Sequence, residues 1–211
     1  GDPSHPAPAM SLTLTIQLSD RDLEHFTKAI EAARVAAEHK SAADVMAAAT
    51  ALLATAQASQ LPDFIADRLD QLDTLVAMVK DEGWALPEAD AKRVIGALAY
   101  FADPKDIIPD HVPVLGFLDD AIAIELCVRE LGHEFEAYDD FCEYRQAEAE
   151  RRGVQPASVG RADWLEGRRE ELQNRMHRRR EREEGQGYGS SSGYGRRSYL
   201  KNVWRPSTYV R

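Results

Sequence analysis

Apolar residues recur every three or four positions along almost all of residues 20–151, and a chain patterned with that period buries its apolar surface as packed helices. One stretch departs from the pattern. Leu12, Leu14, Ile16 and Leu18 alternate with Thr13, Thr15 and Gln17, which is the period-two mark of a half-buried strand. A lone strand needs partners for its backbone donors and acceptors. The economical partner is the same segment of a second copy, so residues 12–18 predict a homodimer, with pairing to the C-terminal tail or an extended arm lying on the helices as the alternatives. The expected fold is all-α: a bundle of about five to six helices with one short N-terminal strand or extended arm and a flexible C-terminal tail.

Ser19 offers an N-cap with Asp22 three residues on, and Leu23, Phe26, Ile30, Ala33 and Ala37 follow at helical spacing, predicting a helix over 20–39. Residues 42–59 are Ala-rich and almost uncharged, which suits a helix with close neighbours on most sides. Pro62 opens a third helix over 63–81, with Ile65, Leu69, Leu72, Val76 and Val79 on one face. Gly83 ends it, and Trp84 reads as a core plug. Pro87 stands at the start of a fourth helix that ends near Ala102. Pro104, Pro109 and Pro113, with Gly116 available for a positive φ, forbid a regular element until about Leu118. Ile122, Leu126, Leu131, Phe135, Tyr138 and Cys142 then predict one long helix to about Arg151, bent at Gly132. Residues 161–184 form a highly charged helix in which Trp164, Leu165, Leu172 and Met176 are too sparse to bury it, so it is expected to be solvated along much of its length.

Charge is split along the chain. Residues 1–150 carry 11 Lys/Arg against 29 Asp/Glu, a net −18, whereas residues 151–211 carry 15 against 7, a net +8. The division is into a leader or expression scar over 1–10, an acidic helical body over 11–152, a linker and charged helix over 153–184, and a basic Gly/Ser/Tyr-rich tail over 185–211. Residues 185–198 have the composition of a flexible linker. Cys127 and Cys142, with no CxxC or zinc-finger spacing, read as ordinary thiols of a reducing, cytoplasmic setting. The longest apolar run, residues 94–102, is too short to span a bilayer. No GxSxG, P-loop, GxGxxG or HExxH motif occurs, so no enzyme class is indicated.

The densest constellation lies in residues 100–120: Tyr100, Pro104, Asp106, Pro109, Asp110, Pro113, Gly116, Asp119 and Asp120. This segment resembles the YkvA-like family, a bacterial domain of unknown function. With flanking helices the resemblance covers about 85–145. It implies a helical hairpin or small helical bundle around a Pro/Asp-rich turn, and brings no established activity. Asp119, Asp120, Glu125 and Arg129 interrupt a region that is more apolar in some relatives, which favours a soluble form.

Every carboxylate of that turn has a structural reading. Asp103 before Pro104 is a candidate N-cap with Asp106 at N3, Asp110 suits an Asx turn, and Asp119 and Asp120 fall in the first turn of a helix, where the dipole favours negative charge. The functional reading makes Asp103, Asp106, Asp110, Asp119 and Asp120, with His111 nearby, oxygen ligands for Mg²⁺ or Ca²⁺. No other cofactor is expected. The tail supplies a competing idea: Tyr199, Leu200, Trp204, Arg205 and Tyr209 form a sticky, basic end on a flexible tether, the build of a motif that docks a protein partner. Sequence reasoning therefore favours a non-enzymatic interaction or adaptor protein, with a metal-binding protein or metal-dependent enzyme as the alternative. Nucleic-acid binding through Arg178, Arg179, Arg180, Arg182, Arg196, Arg197, Lys201 and Arg205 is disfavoured by the acidic body, and peripheral contact of the tail with anionic membrane stands beside it. A tail folded onto its own body competes with all of these.

Overall fold

The computed structural model describes residues 12–103, 115–186 and 203–206. Among them are seven α-helices: α1 Asp20–Ala36, α2 Ala42–Gln57, α3 Asp63–Lys80, α4 Glu88–Leu98, α5 Leu118–Glu130, α6 Gly132–Arg152 and α7 Asp163–Gln186. The all-α expectation holds, with more helices than the five or six expected. The capping box at α1 forms as read: Asp22 N–H donates to Ser19 Oγ at 3.3 Å and Ser19 N–H to Asp22 Oδ2 at 2.9 Å.

Four sequence expectations need correction. Residues 12–18 form no strand, and Leu12, Leu14 and Ile16 are exposed, because no other described segment lies alongside to pair with them. The long helix expected from Leu118 with a bend at Gly132 is interrupted at that place but breaks in two rather than bending, at Leu131 (φ −95°, ψ 25°), where Leu131 N–H still reaches Cys127 O and Phe135 N–H reaches Leu131 O, both at 2.9 Å. A break that short keeps the helical phase, so apolar spacing runs through it undisturbed. Gly116 lies in a 3₁₀ turn, Leu115–Phe117, and takes no positive φ; among the described residues Ala85, Gly153 and Gly160 do.

The largest revision concerns α7. Leu165, Leu172 and Met176 are fully buried, spaced so that they fall on one stripe, and α7 packs along α6. Arg169 fills the gap in the stripe, donating to Gly83 O at 3.1 Å. Charge pairing supplies the rest: α7 contributes Arg175 to Asp140, Arg179 to Glu136, and Arg180 to Asp90 and Glu134. The charged helix is therefore part of the packed body. The two helices run antiparallel, with Glu183 beside His133 at the start of α6.

The main core joins α2 to α7 around Trp84, Phe135, Tyr138 and Phe141, all fully buried. A smaller cluster of Ile30, Ala33, Tyr100 and Ala123 seats α1. Gly153, at φ +69°, terminates α6, and Val154 N–H returns to Ala149 O at 2.9 Å, a left-handed cap that suits glycine.

Candidate functional site

Two regions bear on function. In the first, Tyr100 packs in the smaller core, while Asp119 and Asp120 are buried in the first turn of α5 as expected. A shallow cleft of about 320 Å³ lies beside them, lined by Ala48, Leu52, Phe101, Phe117 and Asp120 among others. Asp103 follows the 3₁₀ turn Ala99–Ala102, but Pro104, Asp106, Pro109, Asp110, His111 and Pro113 lie outside the described residues. Among the described residues no three His, Cys, Asp or Glu side chains come together as a metal site would need.

The second region starts at the C-terminal end of α3. Asp81 is buried there and accepts five hydrogen bonds. Its Oδ1 takes Gly83 N–H at 3.0 Å, Trp84 N–H at 3.3 Å and one Arg145 nitrogen at 2.9 Å; its Oδ2 takes the other Arg145 nitrogen at 2.9 Å and Tyr138 O–H at 2.6 Å. This two-pronged pairing suits the planar guanidinium. Burial works to lower the Arg145 pKa, but the bonds to Asp81 outweigh it and hold the group above its ordinary value. Burial also pushes Tyr138 well above the usual phenol range, and the Asp81 charge adds to it. Gly83 is required by space: a Cβ would sit 2.9 Å from both an Arg145 nitrogen and Gly160 O.

The C-terminal segment closes over this centre. Trp204 lies on the Arg145 guanidinium at 4.6 Å, and the Phe141 ring lies 5.0 Å from the same cation. Trp204 N–H donates to Gln146 Oε1 at 2.7 Å, Arg205 pairs with Asp139, and Val203 packs against the main core. Burial works to lower the Arg205 pKa, and Asp139 more than compensates. A cleft of about 290 Å³ remains between residues 80–83, 156–160, Trp204 and Pro206, floored by Asp81 and Arg145. Of the five tail residues singled out from the sequence, Trp204 and Arg205 thus meet on α6; Tyr199, Leu200 and Tyr209 lie outside the described residues.

Sequence reasoning missed Asp81, Tyr138, Asp139, Arg145 and Gln146, because single polar residues on acidic helices carry no spacing signal. Gly83 beside Trp84 was the one local hint. Neither cysteine offers a nucleophile: burial pushes Cys127 and Cys142 each up to about 12, and Cys127 donates to Ala97 O at 3.3 Å.

A second buried centre ties α4, α6 and α7. Asp90 accepts from Arg180 at 2.8 Å and faces His177 at 2.8 Å, and Glu134 accepts from Arg93 at 2.8 Å and Arg180 at 2.9 Å.

Comparison with known proteins bears on the first region. Residues 93–126 match the family model described as Protein of unknown function (DUF1232). The motif of the YkvA-like resemblance, residues 100–120, lies in that segment, which runs from α4 into α5 and is shorter at both ends than the 85–145 expected. No curated protein and no solved structure matches the chain. The DUF1232 segment contains none of the Asp81–Arg145 centre, which belongs to the flanking helices. No described helix is long and apolar enough to cross a membrane.

Proposed function

We propose that the chain is a non-enzymatic interaction protein whose C-terminal aromatic–basic segment is the docking element. The observation that supports this reading is the recognition chemistry of Trp204 and Arg205, whose ring, cation and backbone N–H each meet a complementary group; here those groups are on the chain's own α6, the fold-back that competes with a partner for the segment. Aromatic and arginine side chains of this kind dominate binding energy at protein interfaces. The state of the cations supports it further. Arg179, Arg180 and Arg205, three that a nucleic-acid reading enlists, are paired with carboxylates of the body and are not free to replace counterions on a phosphate backbone.

The test is affinity capture from nuclease-treated host extract with the full chain and with a W204A/R205A variant, followed by elution with a peptide of residues 199–211. The expected result is a protein retained by the full chain, released by the peptide and absent from the variant's capture. Identical capture by both chains, with nothing released by the peptide, would overturn the reading.

A further inference from the structure

We infer that residues 12–18 are a dimerisation arm: the arms of two copies pair antiparallel, about a two-fold axis at Thr15, into a two-stranded ribbon. This is independent of the docking role of the tail.

The arm is the most apolar exposed segment among the described residues. Of their eight exposed large apolar side chains, four lie in these seven positions: Leu12 at 83% exposed, Leu14 at 72%, Ile16 at 68% and Leu18 at 37%. Thr13, Thr15 and Gln17 are exposed between them, and no residue of the arm is charged in a chain that is 29% charged. No backbone N–H or C=O of residues 12–18 is bonded to a described backbone group. A segment that offers both an apolar face and open backbone groups is a template for another strand.

The pattern of the arm selects its own copy. In the antiparallel register centred on Thr15, Leu12 stands opposite Leu18, Thr13 opposite Gln17, Leu14 opposite Ile16 and Thr15 opposite Thr15. All seven residues are used and every apolar side chain meets an apolar one, whereas a slip of one residue would turn each to the wrong face. An uncharged strip gives a charged partner nothing to pair with. It is also where two chains of net −10 meet without bringing charge against charge. Charge decides the orientation as well. A parallel ribbon would set both starts of α1 side by side, each with Asp20, Asp22 and Glu24 against Arg21, a net −2. The antiparallel ribbon separates the two Ser19 caps by eight residues, about 27 Å at about 3.4 Å per residue, well beyond the screening length of about 8 Å at physiological salt.

A two-stranded ribbon is marginal in water by itself and needs a helix to lie on. Leu18 and Leu23 stand at the two positions of a hydrophobic staple around the Ser19 cap, and Leu23 and Phe26 are half-buried on the first turns of α1. The apolar face of the ribbon therefore continues onto a helix at each end, once in each copy, as two-fold symmetry requires.

Two measurements on the full chain test this. In sedimentation, wild type is expected to show a dimer that dissociates on dilution. Thr15→Lys and Thr15→Glu each place like charges face to face at the two-fold axis and should raise the dissociation constant at least ten-fold; an equimolar mixture of the two should dimerise again. Thr15 is exposed, so neither change disturbs the helical body. In the second, single cysteines are introduced and oxidised with oxidised glutathione, the native Cys127 and Cys142 being buried. Thr15→Cys should give a covalent dimer. Thr13→Cys should not, because antiparallel pairing holds its two copies about 14 Å apart, beyond disulfide reach, whereas parallel pairing would join them. A wild type that stays monomeric at all concentrations, or association unchanged by Thr15→Lys, overturns the arm. Equal cross-linking by Thr13→Cys and Thr15→Cys overturns the antiparallel register. Association lost in W204A/R205A but kept in Thr15→Lys assigns it to the tail and likewise overturns the arm.

Discussion

Asp81 does at one residue what several would otherwise share: it ends α3, fixes the turn at Gly83 and holds the cation that Trp204 stacks on. Removing its charge leaves Arg145 buried and uncompensated, which costs about 3–5 kcal/mol. Asp81→Asn should therefore lose that much in urea denaturation, whereas Tyr138→Phe, which deletes one hydrogen bond to the same carboxylate, should lose about 1 kcal/mol. Similar losses from the two variants would refute the hub. The cysteines set a pH dependence. Their pKa values rise from 9.0 to about 12, chiefly through burial, with Arg205 and Arg145 opposing at Cys142. A raised folded-state pKa means that the folded chain keeps protons the unfolded chain releases. The contribution is complete below pH 9 and is lost as pH climbs towards 12, at up to about 1.4 kcal/mol per pH unit for each thiol. Stability measured from pH 8 to 11 should fall steeply, and a C127A/C142A variant should fall less steeply.

α7 illustrates how two kinds of force share one element. Its stripe of Leu165, Leu172 and Met176 supplies apolar burial, and Leu172→Ala should cost about 2–5 kcal/mol. Its arginines are unequal. Arg179 meets Glu136 where both side chains are partly exposed, so Arg179→Ala should cost less than about 1 kcal/mol. Arg180 instead bridges Asp90 and Glu134, which are 2% and 0% exposed, and losing it strands buried carboxylates with Arg93 and His177 as their remaining partners. Arg180→Ala should cost about 3 kcal/mol or more. Equal midpoints in urea for the two arginine variants would contradict this ordering. The α5–α6 break at Leu131 belongs to the same scale, since it interrupts the helix while the core-facing residues on either side of it keep one phase.

At the scale of the whole molecule, the acidic body and basic end meet each other. Hydrogen exchange should find the Trp204 amide protected in the full chain, and Gln146→Ala should remove that protection. Raising salt from about 0.1 M to 1 M shortens the screening length from about 10 to 3 Å, which weakens the Arg205–Asp139 pair more than the stacked Trp204. Much of this organisation was legible in the sequence. Helical periodicity placed α1 to α4 within a few residues, the Ser19 cap with Asp22 was read, and Trp84 was seen as core, because each depends on neighbours within one or two turns. The Pro/Asp-rich segment was recognisable because its spacing is local too. The fate of residues 12–18 was not legible, since a strand is decided by what lies beside it. Nor was the burial of α7, whose charges looked solvated until carboxylates of α4 and α6 were set opposite them. Local spacing alone thus determined which residues are helical and how most helices begin. The tertiary structure decided which charges meet, bringing Asp81, Asp139, Arg145, Gln146 and Trp204 together across up to 123 positions of sequence, a pairing that no periodicity encodes because it exists only after the helices pack.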